Sequence, residues 1–297
     1  MSWHEVLLGL KLNQVGLLAA ITVALTCAYL GVYVVLKRIV FVGMGLAQVS
    51  AAGIALAFLA GPWLAGQAHR YVHAGTPLRH VGFCFEWLAV RPVLVSFVLT
   101  LGGVWLFARH SRSRTLPRDS IIGAGYVAAY ALTLLFILRS AKGMDDVREL
   151  LDGSVLASTG ADVALMACVF GGVLALHAAF YKQLLFVAFD PEAAEARGYR
   201  VGRWELLFYV TLGLTITVAI RHAGMLSVFS YLVLPAMTGL TAARRMGSAI
   251  LVALASALAS AGGGFVLALK WDLPLSPPSI AVGLGLLLAV SVFRRSA

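Results

Sequence analysis

Phe189-Asp190-Pro191-Glu192-Ala193-Ala194-Glu195-Ala196-Arg197-Gly198-Tyr199 lies between two apolar stretches, Val163–Phe180 and Trp204–Ile220. Its residue order reads as a short helix finished at both ends. Asp190 is a residue type that caps a helix start. Pro191 suits the first helical position, where the amide it lacks would be unbonded anyway. Glu192 puts negative charge where the helix dipole favours it. Gly198 can close the far end in a left-handed conformation. A capped helix in this position is either an ordinary well-formed loop or a docking element for another protein.

The surrounding composition decides what the flanking stretches are. Of the 297 residues, 61% are hydrophobic and 12% charged. Mean hydropathy is +0.91. A water-soluble domain has no reason to look like this, so the chain reads as a polytopic membrane protein. The formal charge of +10 does not imply nucleic acid. In such chains basic residues mostly mark cytoplasmic loops. Cys27 and Cys168 lie in apolar spans as small packing residues, and Cys84 lies in a polar loop. No cysteine pair has metal-ligand spacing. The first fourteen residues lack the basic start and apolar core of a cleaved signal.

Nine candidate spans follow: 12–36, 40–61, 92–108, 121–138, 163–180, 204–220, 223–243, 250–269 and 279–293. Several are shorter than the roughly 20 residues that cross a bilayer core. Eight spans with one re-entrant or interfacial piece is the alternative. The expected fold is therefore an all-α transmembrane bundle of 8–9 spans forming a single domain over 1–297. With the N-terminus outside, 14 of the 23 basic residues fall in inner segments close to span ends, from Lys37 and Arg38 to Arg294 and Arg295. That orientation puts residues 181–203, and the capped helix within them, in the cytoplasm. Small residues four apart let helices approach closely in lipid. They recur at Ala47, Ala51 and Ala55, at Gly53, Ala57 and Gly61, and at Ala253, Ala257 and Ala261. Pro235 interrupts the seventh span and can kink it.

Catalysis has little to rest on. A Gly-Lys dipeptide, required by a Walker A nucleotide loop, does not occur. The His-Glu-x-x-His and Gly-x-Ser-x-Gly patterns are missing too. His177, one turn from the inner end of the fifth span, reads as a hydrogen-bonded histidine facing the span boundary, with a proton or metal role as the alternative. His222 has similar status. His69 and His73 are four residues apart and would share a helical face. They could bind zinc with His80 or Glu86, or be loose surface histidines. Met44 and Gln48 lie one turn apart at the start of the second span. A buried amide is costly without partners, so Gln48 should face other helices or a cavity.

Several pieces, taken in order, resemble the integral-membrane permease family of bacterial metal-type ABC importers. Leu36-Lys37-Arg38-Ile39-Val40-Phe41-Val42-Gly43 is similar to the junction between its first two spans. Leu150-Leu151-Asp152-Gly153-Ser154-Val155-Leu156-Ala157 is similar to the segment before its fifth span, and Phe189 to Gly198 to its cytoplasmic segment. Gly224-Met225-Leu226 and Leu232-Val233-Leu234-Pro235-Ala236-Met237-Thr238 resemble its Pro-Ala-x-Thr span.

The resemblance implies a multi-pass protein of the bacterial cytoplasmic (inner) membrane. It would translocate zinc, manganese or iron as substrate and be no enzyme itself. A second permease subunit would enclose the path, as a homo- or heterodimer. An extracytoplasmic substrate-binding protein would deliver the cargo. A separate cytoplasmic ATP-binding subunit would hold ATP and Mg²⁺, with no cofactor in this chain. Asp190, Pro191, Glu192, Ala193, Glu195 and Gly198 would form the ATPase-coupling element. One departure stands out. Family members carry Gly-Asp-x-Leu-x-His where this chain has Met44 at the Asp position and Gln48 at the His position. Neutral thioether and amide groups suit Mn²⁺ or Zn²⁺ poorly, so these two residues are expected on the pathway but not as a metal site. The competing functions are a membrane-embedded metal-dependent enzyme or scaffold, and an ABC-type permease for a non-metal or chelated cargo.

Overall fold

The computed structural model describes residues 3–73, 92–110, 118–139, 153 and 158–295. All regular structure among them is helical. In order, the helices are α1 (Trp3–Leu12), α2 (Gln14–Leu36), α3 (Val40–His73), α4 (Pro92–His110), α5 (Arg118–Arg139), α6 (Gly160–Ala179), α7 (Tyr181–Phe189), α8 (Pro191–Ala196), α9 (Val201–Ala223), α10 (Met225–Ala242), α11 (Met246–Trp271) and α12 (Ser276–Arg295). A helix bonds its own backbone internally, which is what a segment inside hydrocarbon requires. Among the described residues eight helices are long and apolar enough to cross a bilayer: α2, α3, α5, α6 and α9 to α12. The chain is a multi-pass membrane protein.

Each of the nine expected spans contains a helix, with shifted ends. The ninth helix, α4, has a shorter apolar stretch, Pro92–Phe107. One face of it is nonetheless buried, with Ser96, Thr100 and Val104 covered while Val98 and Trp105 are exposed. Ser50 and Ser96 hydroxyls lie 2.8 Å apart, and Ser96 also donates to the Ser50 carbonyl. Thr217 donates to the Thr100 hydroxyl at 3.2 Å. These buried groups join α3, α4 and α9, the use polar side chains commonly find between helices in lipid. The sequence reading missed α1 and α7 as separate helices. The second span, expected over 40–61, matches the apolar stretch Val40–Ala60, and the helix α3 itself continues beyond it to His73.

The helices sort into an inner and an outer set. About 72% of the apolar windows of α3 and α9 are buried, against 22% for α5, α6 and α12. The centre is built by small residues. A Cβ on Gly31 of α2 would overlap the Leu232 carbonyl of α10, so only glycine permits that backbone contact. Ala47, Ala51 and Ala55 are all buried, as are Ala253, Ala257 and Ala261. The small-residue rows thus serve packing within the chain. Cys168 departs from expectation: it is exposed on α6, while Cys27 is buried. The α10 helix runs through Pro235 without a break.

Candidate functional site

The α7–α8 segment is fixed locally before it is fixed by packing. The Asp190 carboxylate accepts from the Ala193 amide at 2.9 Å, and Pro191 holds the first position. At the other end Tyr199 N–H donates to the Ala194 carbonyl and Gly198 N–H to that of Glu195. This pair of bonds is a Schellman closure, with Gly198 left-handed at φ 83°. Nothing lies within 4 Å of a Cβ placed on Gly198, so its backbone alone demands glycine.

One residue anchors the helix. Ala194 is fully buried against Val187 and Val201, with Phe186 and Trp204 beside them. Asp190, Pro191, Glu192 and Glu195 are exposed, and Ala193 is half-buried. Phe189 is 61% exposed next to them. The Arg197 guanidinium lies 5.2 Å from the Phe186 ring, which also meets Tyr199 edge-on. The result is a small, rigid, partly acidic platform with an apolar flank.

A cleft of about 440 Å³ adjoins it, between Leu36–Ile39 and Val187–Phe189 with Pro191. In it Lys37 Nζ lies 3.3 Å from Glu205 Oε1. The next residue, Arg38, is left-handed at φ 56° and closes α2 by the same bond pattern as Gly198 closes α8. Sequence reading took Lys37 as a topology marker and passed over Glu205. The partners are 168 residues apart, and no local pattern announces such a pair.

The second region is the interior around Gln48. Gln48 is 1% exposed, and its Nε2 donates to Thr133 Oγ1 of α5 at 3.1 Å. Thr133 spends its own proton on the Ala129 carbonyl, so it can only accept from Gln48. Gln48 Oε1 is buried and has no partner. Met44, one turn earlier, is half-buried. The structure therefore does not place the two side chains in equivalent surroundings.

His177 faces the bundle interior, not the span boundary. It is fully buried, with its ring 5.9 Å from both Tyr29 and Tyr33 and 6.0 Å from Phe208. Its Nε2 is 2.9 Å from Thr211 Oγ1, whose proton goes to the Leu207 and Phe208 carbonyls. Nδ1, the other ring nitrogen, is buried and has no partner. His222 is also buried, with Nδ1 3.3 Å from Ser158 Oγ. His69 and His73 fall within α3, while His80, Glu86 and Cys84 lie outside the described residues. Among the described residues no three His, Cys, Asp or Glu side chains group as a metal site. At the other end of α9, Gly153 sits against the backbone of His222, Ala223 and Gly224. This contact joins two of the sequence segments quoted above.

Comparison with known proteins supplies the frame. Residues 10–295 match the family described as ABC 3 transport family. The manganese transport system membrane protein MntC of Halalkalibacterium halodurans is 25% identical over 291 residues, covering 98% of this chain and 90% of that protein. The high-affinity zinc uptake system membrane protein ZnuB of Haemophilus influenzae is 24% identical over 282 residues, covering 94% and 96%. The fold is similar to that of PsaBC from Streptococcus pneumoniae, solved in complex with Fab, with a TM-score of 0.79 and 20% identity over 97% of this chain and 95% of that one.

Proposed function

The chain belongs to the ABC 3 transport family, and on that premise we propose that it is the permease subunit of an ATP-driven importer in the bacterial inner membrane. Its cargo is a divalent transition metal: manganese, zinc or iron. Relatives named for manganese and zinc transport along nearly their whole length support the cargo class. ATP and Mg²⁺ belong to a separate cytoplasmic subunit. A second permease subunit completes the path, and an extracytoplasmic protein delivers the metal.

The observation that carries this reading is the exposed, doubly capped α8. A six-residue helix held by one buried alanine cannot be there to build the core. It presents Asp190, Glu192 and Glu195 on a stiff support, as a docking element must. ATP binding closes the ATPase pair and pushes on α8, and the bundle changes its opening. Such a push shifts the equilibrium only if the motor contacts the two states differently. Met44 and Gln48 line the path. Neither offers the charged oxygen or imidazole that Mn²⁺ and Zn²⁺ prefer, so they make contact without holding the ion tightly.

The test is reconstitution with the ATPase subunit in vesicles. Glu192→Arg should abolish permease-dependent stimulation of ATP hydrolysis while insertion stays normal. Unchanged stimulation would remove α8 from the motor interface. Gln48→Leu should alter uptake or metal selectivity without changing assembly, and normal transport would take Gln48 off the path.

A further inference from the structure

We propose that the Lys37–Glu205 ion pair is a positioning strut that carries displacement of α8 into the start of α3. This rests on the importer reading above. The two side chains are 8% and 20% exposed and 3.3 Å apart. The Lys37 ammonium also lies 5.9 Å from the Phe208 ring, one turn beyond Glu205 on α9. A charge left alone in such surroundings is heavily penalised, so the pair resists separation.

Each end of the strut is rooted in a different moving part. Glu205 is one turn from Val201, which packs with Val187 and Ala194. Its neighbour Trp204 meets Phe180 edge-on at 5.3 Å. The first turn of α9 thus forms one body with α7 and α8. Lys37 ends α2, with its amide bonded to the Tyr33 carbonyl. Left-handed Arg38 follows, and α3 begins at Val40. Met44 and Gln48 lie on the first turns of that helix.

The cleft decides how force crosses between them. About 440 Å³ of open space parts Leu36–Ile39 from Val187–Phe189 and Pro191. Deeper in, Leu184 and Ala188 of α7 share a buried cluster with Tyr33 and Val34 of α2, but at the cleft itself that packing is interrupted. Glu205 also lines the cleft, and there it meets Lys37. The open volume lets the walls approach, and the backbone reversal at Arg38 lets the start of α3 swing.

The experiment uses the assembled transporter in vesicles, with Mn²⁺, Zn²⁺ and Fe²⁺ each offered as cargo and ATP hydrolysis read in parallel. Lys37→Met and Glu205→Gln should each lower metal ions imported per ATP by about fivefold or more. The ATPase subunit should still co-purify and hydrolyse ATP. The exchanged pair, Lys37→Glu with Glu205→Lys, should recover at least half of the lost ratio. An unchanged ratio in both single variants overturns the strut, as does an assembled exchange variant that recovers nothing. If a neutralised variant does not accumulate, Lys37→Arg and Glu205→Asp, which keep the charges at altered reach, should still shift the ratio. Wild-type ratios there would overturn it too. Failure of the wild-type complex to import any of the three metals instead overturns the importer reading.

Discussion

The α8 platform and the Gln48 node are both polar features of an apolar chain, but they are held by opposite means. Asp190, Pro191 and Gly198 satisfy α8 through its own backbone, and most of its side chains face outward. Gln48 depends on Thr133, a residue 85 positions away on another helix, and still leaves Oε1 unpaired. The first design tolerates change in the rest of the protein. The second makes stability and the proposed pathway role hard to separate, because the amide proposed for the path is the one that ties α3 to α5.

The sharpest way to break this contrast is Gly198→Pro. Proline fixes φ near −65°, against the observed 83°, and should cost about 3 kcal/mol or more locally. Hydrogen exchange should show the α8 amides losing protection while the global melting temperature in detergent barely moves. A collapse of the global melt would mean that α8 is not the self-contained unit described. Thr133→Val comes next. It strands the Gln48 amide and should lower global stability by about 1–3 kcal/mol. Adding Gln48→Leu should return most of that loss, since removing both partners of a buried bond is far milder than removing one. A double variant no more stable than Thr133→Val in thermal unfolding would show that the bond does not tie α3 to α5.

Asp190→Ala should cost about 1 kcal/mol at the helix start. It should be visible as faster exchange at Ala193 and as weaker ATPase stimulation, with Asp190→Ser recovering both. Equal exchange in wild type and variant would disprove the cap. The smallest effect belongs to Glu192→Gln, about 0.3–1 kcal/mol from the helix dipole and screened by salt. Its change in motor affinity, read by titrating the ATPase subunit, should shrink as salt rises. A salt-independent change would point to shape rather than charge at that position.

What could be read from the sequence follows the same division. Asp190, Pro191 and Gly198 act within a few residues of themselves, so the cap and closure of α8 were visible in the chain. The spans were visible because each must satisfy its backbone alone. How far a helix runs past its span was not, since α3 continues to His73 beyond the apolar stretch that ends at Ala60. The orientation of His177 was also hidden. The rings that enclose it come from α2 and α9, and neighbours within α6 do not announce them. Gln48 was legible as a residue needing partners, but not Thr133 as the one that supplies them. Lys37 and Glu205 stand for the largest gap: charge at span ends reads as orientation, and nothing in the string pairs one with the other.

The hydroxyl ladder of Ser50, Ser96, Thr100 and Thr217 has a mechanical corollary. Sliding α4 by one residue would part the Ser50–Ser96 and Thr100–Thr217 contacts, while Thr100 and Thr217 would keep their bonds to the Ser96 and Gly213 carbonyls of their own helices. Those three helices are therefore keyed together like the wards of a lock. Relative movement of α3, α4 and α9 is thereby disfavoured, by the loss of two interhelical contacts.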